Sequence, residues 1–73
     1  FDRTDRRLAA WLLAHRDPKG RVSATHETIA TELGTVREVV SRLLGEFRNK
    51  KAVALGRGRI DILAPAFLQS LSE

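Results

Sequence analysis

Arg37, Glu38, Ser41 and Arg42 fall in a stretch with helical periodicity. At about 100° per residue they gather within an arc of roughly 140° on one side of that helix. Val40, Leu43, Leu44 and Phe47 take the other side, so one face can dock while the other projects. The projecting groups form a hydrogen-bonding set suited to base edges. An arginine fork donates two bonds to guanine N7 and O6, and a glutamate accepts from the cytosine amino group. Ser41 is short enough to sit against a base edge or a phosphate. Arg37 and Arg42 suit guanines. Three of the four also have an ordinary use. Glu38 is the acid of a capping box, Thr35-Val36-Arg37-Glu38. Arg42 has Glu38 and Glu46 within one helical turn, and Ser41 also fits a plain surface role.

Around this face lie groups suited to phosphates. Thr25 and His26 stand at a helix start, whose free amides favour anions. Lys50 and Lys51 follow the helix that carries Arg37. Arg57 and Arg59 belong to a hairpin. Contacts of this kind position a protein on a duplex without reading its sequence. The net charge is +4. Its placement is skewed: from position 34 to 63, Arg37, Arg42, Arg48, Lys50, Lys51, Arg57 and Arg59 face only Glu38, Glu46 and Asp61. The preceding residues are nearly balanced. A concentrated basic region predicts a polyanionic partner.

The elements that must hold these groups follow from periodicity and turn chemistry. Thr4, with Asp5 behind it, reads as the hydroxyl cap of a first helix. Leu8, Trp11, Leu12 and His15 recur along it at helical spacing, with Ala9 and Leu13 widening the stripe. Trp11 reads as core and His15 as a surface or helix-end residue. Asp17-Pro18-Lys19-Gly20 is a turn. Residues 21–24 suit an edge strand that pairs with a later hairpin. Thr25 caps a second helix with Glu27 in its first turn and Ile29, Ala30 and Leu33 inward. Gly34 ends it, since glycine takes the left-handed conformation of a tight turn. The third helix, about 36–48, starts from the Thr35 capping box and tolerates Gly45. Residues 53–55 and 59–63 read as strands joined by Gly56-Arg57-Gly58. Pro65 opens a last helix, which Phe67, Leu68 and Leu71 pack back on the core.

The 73 residues make one small domain, mainly α with a small β-hairpin wing. Without cysteine, neither disulfides nor Cys-ligated zinc can staple it, so one apolar core must suffice. No apolar run approaches the roughly 20 residues of a membrane span, which points to a cytoplasmic protein. His26-Glu27-Thr28-Ile29-Ala30 lacks the second histidine of a zinc-protease helix. Gly56-Arg57-Gly58 is too short for a dinucleotide loop and leads into a strand. The sequence therefore predicts neither an enzyme nor a metal site, and the residues present call for no cofactor.

The segment THETIATELGTVREVVSRLL resembles the helix-turn-helix of the Crp/Fnr family of bacterial transcription regulators. RLAAWLL upstream and the basic hairpin ending in DILAP downstream share the likeness, which covers nearly the whole chain. The resemblance implies a winged helix-turn-helix over residues 1–73, with the wing at 53–63. It implies that Arg37, Glu38, Ser41 and Arg42 read a TGA-like half-site in double-stranded DNA. It also implies a homodimer on a palindromic operator, RNA polymerase as a further partner, and upstream effector-binding and dimerisation regions. The chain has no methionine and begins at Phe1, as a piece of such a protein would. The effector, a cyclic nucleotide or another, is not written in these residues. In this family a serine or threonine often stands at the position of Val36, and a glycine at that of Lys51. Two other uses of such a fold stay open: a winged-helix protein-interaction module, and a nucleic-acid binder that uses charge without base readout.

Overall fold

Apolar residues at helical spacing coil the chain into α1 (Thr4–His15), α2 (His26–Leu33), α3 (Arg37–Asn49) and α4 (Pro65–Ser72). Between them lie β1 (Arg21–Val22), β2 (Val53–Gly56) and β3 (Arg59–Ile62). The computed structural model describes residues 3–73, so Phe1 and Asp2 of the expected domain lie outside the described residues. The three strands form one antiparallel sheet in the order β1-β3-β2. Arg21 pairs with Asp61 and Val22 with Ile60, while Val53 pairs with Ile62 and Gly56 with Arg59. The expected edge strand is present, in two residues rather than four.

The turn before β1 is built by one carboxylate. Asp17 accepts from the backbone N–H of Lys19 and of Arg21, each at 2.9 Å. The Arg21 N–H bond, with the Lys19 bond and both cations behind it, holds the Asp17 carboxyl below its ordinary value of 3.8. The turn is also tied to the sheet, because Ile62 N–H donates to the Gly20 carbonyl at 2.8 Å. The hairpin loop is Arg57-Gly58, one residue shorter than expected, with Gly58 at φ +68°.

Helices and sheet close over one core. Leu8, Leu12, Val22, Ile29, Val40, Leu44, Val53, Ile60 and Leu68 are all under 2% exposed. Burying an aliphatic side chain of this size stabilises by about 1.5–3 kcal/mol. Trp11, expected in the core, is only half-buried and packs against its edge. There it stacks on the exposed His15, ring centroids 4.0 Å apart, with no partner for its indole N–H among the described residues. Thr4 is likewise not the cap: Arg3 holds that position and Thr4 is the first helical residue.

Candidate nucleic-acid interface

Two helices meet at Gly34, whose φ of +70° is the left-handed conformation the turn needs. Its N–H donates to the Thr31 carbonyl, and Thr35 N–H donates to the Ala30 carbonyl at 2.9 Å. These bonds close the end of α2. They also draw Thr35 into the turn, so the expected capping box does not form. Val36 takes the N-cap with no side-chain bond, 56% exposed, and α3 starts at Arg37. Glu38 is therefore not held by the backbone and stays exposed. At the other helix start Thr25 caps as expected: its Oγ1 accepts from Thr28 N–H at 3.1 Å.

A third tie was not legible locally. The Arg7 guanidinium of α1 donates to the Leu33 carbonyl at 2.6 Å and so caps α2 from outside. Nothing at helical spacing marks Arg7, because its partner is 26 residues away.

The inward face of α3 is Val40, Leu43, Leu44 and Phe47, all buried. Outward stand Arg37, Glu38 and Arg42, all exposed, with Ser41 half-buried between them. Arg42 Nη1 donates to Glu46 Oε2 at 3.0 Å, an exposed pair one turn apart. Such pairs contribute about 0.3–0.5 kcal/mol, so the fork is readily released to a stronger acceptor.

Arg37 lies on the other edge. With Thr25, His26, Glu27, Gly56 and Gly58 it lines a cleft of about 390 Å³ between the start of α2, the start of α3 and the wing. His26 also reaches α3: Nδ1 and Ser41 Oγ are hydrogen-bonded at 2.9 Å. Burial, and then the Arg37 charge, hold the His26 pKa below its ordinary 6.5. The unfolded chain thus takes up this proton first as pH falls. Stability declines from about pH 6.5 down to the folded-state pKa and then levels. In thermal melts between about pH 7.5 and 5, His26→Phe should show a shallower decline than the wild-type chain.

Thr25, His26 and Arg37 are thus brought together beside the wing, and Ser41 is joined to them through His26. Lys50 and Lys51 stand at the far end of α3. The Lys50 ammonium lies 5.7 Å from the centre of the Phe67 ring, a cation–π contact that leans it toward α4. Arg57 is exposed and makes no side-chain hydrogen bond or ion pair among the described residues. Arg59 shares Asp61 with Arg21, at 3.7 Å and 2.7 Å, so part of its charge is offset within the sheet.

Lys51 has φ +61°, the left-handed region. Lys51 N–H donates to the Arg48 carbonyl and Ala52 N–H to the Phe47 carbonyl, each at 2.9 Å, the same closure that glycine makes at α2. A side chain in this conformation costs about 1–2 kcal/mol. Lys51→Gly should therefore raise stability by about 1 kcal/mol, seen as a higher denaturant midpoint with unchanged slope.

Four helices and a small sheet, with α2 and α3 set as a helix-turn-helix and β2–β3 as a wing, define a winged helix-turn-helix domain. Residues 6–71 match the family of Crp-like helix-turn-helix domains, and the chain belongs to that family. It is 36% identical over 63 residues to the transcriptional regulator SdrP of Thermus thermophilus, covering 84% of this chain and 31% of that protein. A Crp/Fnr-family transcriptional regulator from Eubacterium rectale has the same fold at TM-score 0.88 and 40% identity, over 93% of this chain and 32% of that one. A CRP-family transcriptional regulator from Thermus thermophilus matches at TM-score 0.87 and 29% identity, over 99% and 41%. The chain thus spans less than half the length of each of these relatives. Membership in this family makes it a DNA-binding module of transcription regulation. None of the helices among the described residues is long and apolar enough to cross a membrane.

Proposed function

We propose that this chain reads a specific sequence in double-stranded DNA by laying α3 in the major groove. One observation carries the reading: Arg37, Glu38 and Arg42 project from α3 while its opposite face is buried. The two guanidinium forks take guanines and Glu38 takes a cytosine amino group, in a half-site with a TGA-like core. Thr25, His26, Lys50, Lys51, Arg57 and Arg59 hold phosphates on either side. The whole protein is a cytoplasmic, non-enzymatic regulator that binds a palindromic operator as a homodimer and contacts RNA polymerase. Its half-sites lie about one helical turn apart.

Selection of random duplexes by the chain tests this. Enrichment of one G·C-containing half-site is the expected result, and recovery of an unenriched pool rejects the reading. A binder that uses charge alone predicts the unenriched pool with a steep salt dependence. A protein-docking module needs an apolar patch on the outer face of α3, where charged side chains stand instead. Arg57→Ala should weaken binding to all duplexes alike and lower the salt slope by about 1, measured by fluorescence anisotropy.

A further inference from the structure

We propose that His26 is a positioning residue whose imidazole links a DNA phosphate to the Ser41 hydroxyl, fixing that hydroxyl as a hydrogen-bond acceptor toward the base edge. The inference deepens the DNA-binding reading above and rests on it.

The link joins the first residue of α2 to the second turn of α3, through the 2.9 Å bond between His26 Nδ1 and Ser41 Oγ. The Ser41 hydroxyl makes no other side-chain hydrogen bond among the described residues, and neither does His26 Nε2. The ring lines the open cleft between α2, α3 and the wing. The charged groups facing it there are Arg37 from α3 and Glu27 from α2, while the wing contributes Gly56 and Gly58.

A neutral imidazole carries one N–H and one lone pair. Arg37 and the amides at the start of α2 draw a phosphate into this cleft. The phosphate oxygen accepts, so the ring must offer it Nε2–H. Nδ1 is then the acceptor and takes the Ser41 O–H. Only lone pairs remain on Ser41 Oγ toward the groove. The partners it can then meet are the exocyclic amino groups, cytosine N4 or adenine N6. A backbone contact, which carries no sequence information alone, thereby sets how one base pair is read.

Duplex binding at about pH 8, where the ring is neutral, tests the link with three variants. Ser41→Ala is expected to flatten the preference at one base pair about fivefold, the scale of a single hydrogen bond. His26→Phe flattens the same base pair by a similar factor, and adding Ser41→Ala to it does nothing more. His26→Asn places Oδ1 where Nδ1 stood, so it keeps the preference while binding every duplex more weakly. The imidazole nitrogen shifts of the wild-type chain, read by NMR, should report Nε2–H. A preference that survives His26→Phe overturns the inference, as does an Nδ1–H tautomer in the bound chain. A base preference that Ser41→Ala leaves intact overturns the inference alone. A wild-type chain that shows no sequence preference rejects the DNA reading and the inference with it.

Discussion

Arg42→Ala should lower affinity for the selected duplex roughly ten- to a hundredfold while leaving affinity for a scrambled duplex within about twofold. A bidentate arginine–guanine pair carries about 1–3 kcal/mol of discrimination, and alanine removes all of it. The bond Arg42 gives up to Glu46 is exposed and offsets at most about 0.5 kcal/mol. Arg42→Lys separates charge from geometry. It keeps the positive charge but not the planar fork, so it should retain scrambled-duplex binding and fail to restore the preference. Neither change touches the core, and thermal melts of both variants should overlay the wild type. A preference for the same half-site in Arg42→Ala would remove this residue from base readout.

Leu44→Ala should do the opposite, abolishing binding to every duplex by unfolding the domain. Leu44 is 0% exposed, on the face of α3 that packs into the core. Truncating such a leucine costs about 2–5 kcal/mol, through lost burial and the cavity left behind. A single core in a chain this short supplies about 3–5 kcal/mol in all. The variant should therefore melt at least about 10 °C below the wild type by circular dichroism. A melting point unchanged within a few degrees would show that α3 does not depend on this side chain for its seat.

Comparing the two variants also shows what the amino-acid sequence could convey. Leu44 and Arg42 were assignable to opposite faces because helical periodicity is a local signal. The Asp17 turn, the hairpin and the Thr25 cap were legible for the same reason, since each is written within a few residues. The failures share a physical cause. Thr35 has the right neighbours for a capping box, but its N–H is already held by Ala30, and a cap rule does not count that competitor. Trp11 lies on the apolar stripe, yet it lines a cleft with residues of β1 and α2 and is only half-buried. Arg7 on Leu33 and His26 on Ser41 join residues far apart in the chain, and only the packing of α1, α2 and α3 brings them into reach. The left-handed backbone of Lys51 is hidden by the residue type itself, and only the glycine common at that position in the resembling family hinted at it.

The wing is not a freely hinged flap. Its central strand β3 is flanked by β1 as well as β2, and Arg21 grips Asp61 at 2.7 Å while the Gly20 carbonyl holds Ile62. The hairpin tip is thereby set at one angle to α3 before any duplex arrives. Little loop ordering is left to oppose association. In the proposed complex a duplex would conform to a spacing already set in the protein, so stiff and pliable sequences with identical contacted bases should differ in affinity.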